Sequence, residues 1–463
     1  MNGLLPSLGA VALFLAAGLG LAELVPSIRR LPWLCRLGWA YLLGLAGLAG
    51  TLYALSHVCG VPLRRPAILA TTAALIALGL FARWWHGRRP AVPRRPLSGW
   101  IEIGGTALLA FIGLGLFADA VTDPVTGWDA RMTWGVQALW VQDAGTVDAP
   151  VLQRRNLYVN HPRYPLLLPV AQVAVLEAFD VPPDLHAWRT LYTTCFAAFL
   201  AILWEAGRRW AGRRPALCAA LAAAGVPALT FFEDSGAASG YSDLPLGCFY
   251  GAGLLLLLTG RRRIGDALGA GLLLAGAALT KNEGALLAVG ALGLAAALAF
   301  ALRRRRRLLL RVAAAALPVV LALLLLASWR AGIPNRQDER YDLLVATEAA
   351  WSGAITRIPH LAALAVQQMI RFDHWTLFWI AVPVVFGVGR HGWRGRRAPL
   401  ALALAAAALA PPGIGWGAYL IHPHPDTLVP VTWTRFLIQG SLPLFVLLAL
   451  ALRGVLGRES QGP

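Results

Sequence analysis

The sequence predicts an all-α polytopic membrane protein, and three of its features lead to that class. Of its 463 residues, 58% are hydrophobic and only 14% are charged, and the mean hydropathy is +0.61. So few charged side chains cannot cover the surface of a water-soluble globule. Apolar runs of about 17 to 25 residues, the length of a membrane-spanning helix, recur along nearly the whole chain. Arginines fall in short clusters between these runs.

The apolar runs predict about 13 transmembrane helices. In chain order they cover residues 4–25, 34–57, 66–83, 101–119, 187–206, 215–231, 244–259, 265–280, 285–302, 308–328, 375–389, 398–419 and 433–452. Segment 164–179 is also apolar, but as a span it would put the arginines at 208–214 on the wrong side of the membrane. We therefore expect interfacial helices in the first large outer loop, one at 164–179 and one carrying Trp128, Trp134 and Trp140.

The charge pattern predicts the orientation of the chain and argues against nucleic acid as a partner. The formal net charge is +18 and the pI is near 10.9. In a soluble protein this balance would suggest nucleic acid, but here the arginine clusters follow the positive-inside rule for cytoplasmic loops. We expect no nucleic-acid partner and an integral protein of a bacterial cytoplasmic membrane. The polar loops would then lie on the extracytoplasmic side.

Two polar segments follow one another in the first large outer loop. The stretch GWDARMTWGVQALWV places Asp129 directly after Trp128. An aspartate at this position could belong to a functional site, or it could simply stabilise the start of a helix. The next stretch, NHPRYP, holds His161 and Tyr164 beside prolines that prevent a regular helix from starting there. His161 has no second ligand at helical spacing and does not by itself indicate a metal site.

Three further polar segments bring charge to the ends of apolar runs. GYSDLP puts Asp243 at the head of a run, where an acid is costly unless paired or hydrated, although it could also cap the helix. TKNEG contains Lys281, the only lysine of the chain, and Glu283. This pair could hold a phosphate or tie two helices together. Arg435 could bind a phosphate through its two-pronged guanidinium or anchor its helix.

In this order, GWDARMTWGVQALWV, HPRYPLLLP, GYSDLP and TKNEG resemble the motifs of the GT-C superfamily of polyprenyl-phosphate-sugar-dependent membrane glycosyltransferases. That superfamily includes protein mannosyltransferases and aminoarabinose transferases. The resemblance covers about residues 100–450. It implies a GT-C-like transmembrane catalytic domain at 99–453, after an N-terminal extension of three membrane helices at 1–98. Residues 454–463 would form a short cytoplasmic tail.

The resemblance implies an inverting transferase that moves a sugar from a polyprenyl-phosphate donor to a hydroxyl of a glycan, lipid or protein acceptor. In the superfamily an acidic residue of the first large outer loop is catalytic, and the matching residue is Asp129, the expected general base. Many members carry Glu directly after it, whereas Ala130 stands here, which puts in doubt a metal site built on an acidic pair. No cofactor is certain, and a divalent cation on Asp129 and Asp243 is left open.

The remaining roles implied by the resemblance concern the substrates. Asp243 matches an aspartate that supports acceptor or metal binding. Lys281 and Arg435 would hold the donor phosphate while the prenyl chain stays in membrane lipid. The expected substrate-binding residues are Asp243, Lys281, Glu283, Arg435, His161, Tyr164 and Trp128.

Two other functions remain open from the sequence. A secondary transporter of a small polar or ionic solute could use the same buried charges, although such proteins usually build their sites from two related halves, and no repeat is evident. A noncatalytic membrane protein of envelope assembly could use the long loop 330–373 as a docking surface.

Overall fold

The computed structural model describes residues 3–87, 99–154, 157, 160–182, 187–260, 263–301, 305–334, 355–422 and 424–456. Within these ranges all regular secondary structure is helical. A π-helical turn, Ala130–Gly135, precedes α6. The α-helices are α1 (Leu4–Leu24), α2 (Pro26–Arg29), α3 (Trp33–Cys59), α4 (Arg65–His86), α5 (Trp100–Thr122), α6 (Val136–Ala144), α7 (Leu167–Phe179), α8 (Thr190–Trp210), α9 (Arg213–Ala224), α10 (Asp243–Thr259), α11 (Ile264–Ala278), α12 (Asn282–Ala301), α13 (Arg305–Ala331), α14 (Ile355–Met369), α15 (Phe372–Trp375), α16 (Phe378–Val388), α17 (Ala398–Ile421), α18 (Pro425–Gln439) and α19 (Ser441–Leu456).

The protein is a polytopic α-helical membrane protein, as predicted. Among the described residues, eight helices are long and apolar enough to cross a membrane: α1, α3, α4, α5, α8, α12, α13 and α17. Helices α18 and α19 meet at a 60° bend and would form a ninth, broken span. The predicted count of about 13 spans is not confirmed. The other four predicted spans correspond to helices that are shorter than the roughly 20 residues of a straight span. These are α9 with 12 residues, α10 with 17, α11 with 15 and α16 with 11.

The short helices α10 and α11 lie at the centre of the protein. Every residue of α10 from Asp243 to Leu257 is buried, and α10 packs against α8, α11, α12, α18 and α19. Small residues allow this close packing. A Cβ atom at Gly271 of α11 would lie 2.3 Å from the carbonyl oxygen of Ala315 in α13. These helices are therefore enclosed by protein rather than by lipid.

Helices occupy both segments that were predicted to lie at the membrane interface, and protein covers more of their surface than such a position implies. In α7 only Glu177 and Phe179 are not buried, because α3, α4 and α6 pack around it. Trp128 is 56% exposed, whereas Trp134 is fully buried. The π-helical turn between Asp129 and α6 changes the rotation per residue, so the tryptophans do not form one exposed row.

The first three long helices share their core with the rest of the chain. Helix α3 packs on α7, α8 and α11, and the Tyr41 hydroxyl donates to the Leu191 carbonyl oxygen at 3.0 Å. Helix α1 packs on α3 and α4. The proposed boundary at residue 98 stays a prediction, since 88–98 lie outside the described residues. Most of the predicted tail also lies outside them.

Candidate functional site

The candidate site is centred on Asp243, the first residue of α10, which is completely buried. Lys281 Nζ and Gln439 Nε2 donate to Asp243 Oδ1 at 2.9 and 2.7 Å. Arg435 Nε donates to Asp243 Oδ2 at 2.7 Å. Two cations and an amide, from the α11–α12 turn and from α18, thus offset the large cost of burying this charge. Ser242, rather than Asp243, occupies the N-cap position of α10, and the Asp243 carboxylate accepts its bonds from the side chains of Lys281, Arg435 and Gln439.

Arg435 joins Asp243 to a second carboxylate, that of Asp129. Arg435 Nη2 lies 2.7 Å from Asp129 Oδ2. The Asp129 side chain is 25% exposed, whereas that of Asp243 is fully enclosed. The guanidinium also lies over the Tyr241 ring, with Arg435 Cζ 4.9 Å from the ring centre. One arginine of α18 therefore links the segment between α5 and α6 to the start of α10.

Lys281 occupies the tight turn between α11 and α12. Its Nζ atom lies 3.2 Å from Glu283 Oε1, in addition to its bond with Asp243. A Cβ atom at Gly284 would lie 1.9 Å from the Ala277 carbonyl oxygen, so a larger residue would push the two helices apart. Lys281 thus both connects α10 to this turn and supplies a cation to the site. We call Asp129, Asp243, Lys281, Glu283 and Arg435 the ion-pair network.

Sequence reasoning missed two residues that contact the ion-pair network. Gln439 follows Arg435 by one helical turn, a spacing that could have identified it. The Tyr241 hydroxyl accepts from the Asp129 backbone N–H at 3.3 Å and donates to Asp234 Oδ1 at 3.2 Å. Burial, and then the Asp129 charge, raises the pKa of Tyr241 well above its usual range. The phenol therefore stays protonated near neutral pH.

The other predicted substrate-binding residues, His161, Tyr164 and Trp128, lie in or against the helical segment around Asp129. The rings of His161 and Tyr164 stack with centroids 4.7 Å apart, and Tyr164 packs on Trp134 at 5.6 Å. Gln137 Nε2 donates to the His161 carbonyl oxygen at 2.8 Å. These contacts place His161 and Tyr164 against the helical segment that follows Asp129. Trp128 lies exposed at the start of that segment.

The charges of the network bear on the expected phosphate and metal sites. Three carboxylates face two cations, and both cations already bind carboxylates. A divalent cation on Asp129 and Asp243 does not fit this arrangement, because both oxygens of Asp243 accept bonds from Lys281, Arg435 or Gln439. Within the described residues, no group of three His, Cys, Asp or Glu side chains is placed to hold a metal ion.

Comparison with known proteins does not identify a family. No family model, curated protein or solved structure matches the chain. The GT-C resemblance therefore stays an expectation based on sequence motifs, and the functional argument depends on the geometry of the site.

Proposed function

We propose that the protein is a membrane glycosyltransferase that moves a sugar from a polyprenyl phosphate to an acceptor hydroxyl on the extracytoplasmic side. One observation supports this proposal most strongly. The ion-pair network connects residues that are far apart in the sequence, and they come from the segment between α5 and α6, α10, the α11–α12 turn and α18. Ionisable residues buried within a membrane protein are rare, are usually paired, and often mark functional sites.

In this proposal Asp129 is the general base, because its side chain is 25% exposed and is the most open carboxylate of the network. Asp129 takes the proton of the acceptor hydroxyl as that oxygen attacks the anomeric carbon. The bond from this carbon to the phosphate oxygen breaks, and polyprenyl phosphate leaves. A single in-line displacement inverts the anomeric carbon.

Arg435 and Lys281 would bind the donor phosphate. Asp243 fixes both cations, while each also has a partly exposed carboxylate partner, Asp129 for Arg435 and Glu283 for Lys281. A phosphate oxygen could replace these outer carboxylates as the partner of the cations. If a phosphate oxygen replaced Asp129 as the partner of Arg435, the Asp129 carboxylate would be free to accept a proton beside the bound donor.

The test is transfer by purified protein from a panel of radiolabelled polyprenyl-phosphate sugars to glycan, lipid and protein acceptors. Asp129→Asn should lower turnover by at least about a hundredfold, because the variant cannot accept the proton. The control is Asp426→Asn, since Asp426 is an exposed carboxylate in the first turn of α18. Near wild-type turnover of Asp129→Asn would remove its role as the base. Absence of transfer by the wild type from every donor would refute the proposed function.

A secondary transporter is the second candidate, and the 60° bend between α18 and α19 favours it. The bend lies directly after Gln439, and broken helices of this kind often form transporter sites. Flux of labelled sugars, amino acids and ions into proteoliposomes tests this candidate, with Arg435→Gln as the variant that should abolish flux. The third function, that of a noncatalytic protein of envelope assembly, would use loop 330–373 as its docking surface. Residues 335–354 of this loop lie outside the described residues.

A further inference from the structure

A second polar constellation joins the last turns of α3 and α13 to the loop after α6. His57 Nε2 lies 2.9 Å from Ser328 Oγ, and His57 Nδ1 lies 2.9 and 3.1 Å from the two Asp148 carboxylate oxygens. An ionised carboxylate only accepts hydrogen bonds, so Nδ1 carries the proton and Nε2 can accept from the Ser328 hydroxyl. We propose that Ser328, His57 and Asp148 form a catalytic triad with Ser328 as nucleophile.

Neighbouring contacts hold the three groups in this geometry. The Val147 N–H donates to Ser56 Oγ at 3.2 Å, and Trp329 Nε1 donates to the Val147 carbonyl oxygen at 3.0 Å. The Trp329 ring also packs edge-on against Tyr53, with centroids 5.9 Å apart. Ser56 and Trp329 adjoin His57 and Ser328 in the chain. The helices that carry the base and the nucleophile therefore also fix the loop that carries Asp148, as an organised site requires.

The distances match the arrangement that activates a serine. A nucleophile within hydrogen-bond reach of a base, and a base oriented by a third group, define such a site irrespective of fold or chain order. The Ser328 side chain is exposed, and the His57 and Asp148 side chains are 17% and 43% exposed. The triad uses no residue of the ion-pair network, so it is a separate site.

The position of the triad indicates the class of substrate. Helices α3 and α13 are both candidate membrane spans, and His57 and Ser328 lie in their last turns. Val58 and Leu324, next to His57 and one turn before Ser328, are 71% and 61% exposed. An exposed hydroxyl at the end of an apolar span lies at the border of the hydrocarbon layer, where glycerolipid esters are found. The substrate is therefore a carboxylic ester of a membrane lipid.

The reaction proceeds in two balanced steps. Ser328 Oγ attacks the ester carbonyl carbon while its proton passes to His57 Nε2. The bond to the alcohol oxygen breaks, His57 returns the proton to that oxygen, and an acyl ester of Ser328 remains. Water then attacks the acyl carbon and gives a proton to His57. The fatty acid leaves, and the proton returns to Ser328.

Labelling with a fluorophosphonate probe tests the nucleophile, because serine displaces fluoride from the probe's phosphorus and stays covalently bound. Full-length wild-type protein in nanodiscs should be labelled, with the adduct on Ser328 in peptide mass spectra, and Ser328→Ala should not be labelled. His57→Gln should slow labelling by at least about a hundredfold, and Asp148→Asn should also slow it. The buried-serine variant Ser441→Ala should react normally. An unlabelled wild type, or an adduct on another residue, overturns the triad.

Turnover tests the substrate class. The protein is reconstituted into phosphatidylcholine vesicles with a fluorescent acyl chain, and release of the labelled fatty acid is compared with hydrolysis of a water-soluble short-chain ester. Release from the lipid by the wild type, and its loss in Ser328→Ala, supports the proposal. Hydrolysis of the soluble ester alone overturns the lipid assignment. Labelling of Ser328 without turnover of either ester overturns the proposed reaction. Sugar transfer does not enter either experiment, so both outcomes are independent of the proposed glycosyltransferase activity.

Discussion

Asp243 and Asp266 are both fully buried acids in the first turns of consecutive helices, but they are stabilised in different ways. Asp266 accepts the Ser27 backbone N–H at 2.7 Å and the Ser27 hydroxyl at 2.8 Å. Both of these donors are neutral and belong to one residue. Asp243 instead accepts bonds from Lys281, Arg435 and Gln439, which lie on two separate segments of the chain.

This difference distinguishes a structural carboxylate from a candidate functional one. Ser27 lies in the short helix after α1, so its bonds to Asp266 attach that segment to α11. The neighbouring Arg311 and Arg263 also favour the Asp266 charge electrostatically. Asp243 holds two cations, one of which reaches the partly exposed Asp129. Buried ion pairs add little net stability compared with apolar packing, so stability alone does not account for this network.

Of the substitutions that test this comparison, Asp243→Asn should lower the unfolding free energy the most. Loss of this charge leaves Lys281 and Arg435 close together without their shared carboxylate, which should cost about 3–5 kcal/mol of unfolding free energy. Reversible denaturation in mixed micelles measures this loss. A loss below about 1 kcal/mol, the value of an exposed ion pair, would show that the network is not tightly coupled.

Asp266→Asn should have a smaller effect that is limited to stability. The Asn amide can accept the Ser27 N–H and donate to the Ser27 hydroxyl, so both contacts can still form. Both bonds lose the charge of the carboxylate, which strengthens a hydrogen bond, at a total cost of about 1.5–3 kcal/mol. The same denaturation experiment measures it. Whatever activity the protein shows should be preserved in the folded fraction. A specific loss of activity at full stability would contradict the structural role assigned to Asp266.

The two aspartates also show how far sequence reasoning extends. Asp243 attracts attention because it heads an apolar run within a polar segment, whereas Asp266 follows the arginines at 261–263 and looks like a loop charge. The long apolar runs predict the ends of α1, α3, α4 and α5 to within a few residues. The short helix α9 was expected as a full span, because its apolar run continues beyond Ala224 into an irregular segment that composition cannot distinguish from helix.

Contacts between distant segments were the least predictable. The chemistry of Arg435 and Lys281 predicts that each binds an anion, but nothing in their local sequence shows that they share Asp243. His57, Asp148 and Ser328 belong to no local motif, and they meet only because α3 and α13 end at the same level. Such a constellation depends on helix packing, which one sequence without three-dimensional contacts does not specify.

Gly284 allows the tight turn that places Lys281 beside Asp243. A substitution at Gly284 therefore tests whether the network requires this close approach of α11 and α12. Gly284→Ala should cost about 1–3 kcal/mol, because the added methyl group overlaps the Ala277 carbonyl oxygen and separates α11 from α12. The matched control is Gly290→Ala on the same helix, where a Cβ atom meets nothing within 4 Å. That control should leave stability unchanged or raise it by up to about 1 kcal/mol. Equal effects of the two substitutions would contradict the close contact.

The smallest expected effect is that of Tyr241→Phe, at a buried residue whose hydroxyl contacts Asp129 of the network. The variant keeps the ring under Arg435 but loses the hydroxyl that accepts from the Asp129 N–H and donates to Asp234. The expected loss is about 1 kcal/mol of unfolding free energy. Amide hydrogen exchange at Asp129 should quicken, while exchange in the central part of α10 should not. If exchange quickened equally in α10, Tyr241 would support the buried Asp243 cluster as a whole, and Asp129 would not be a separately adjustable part of the site.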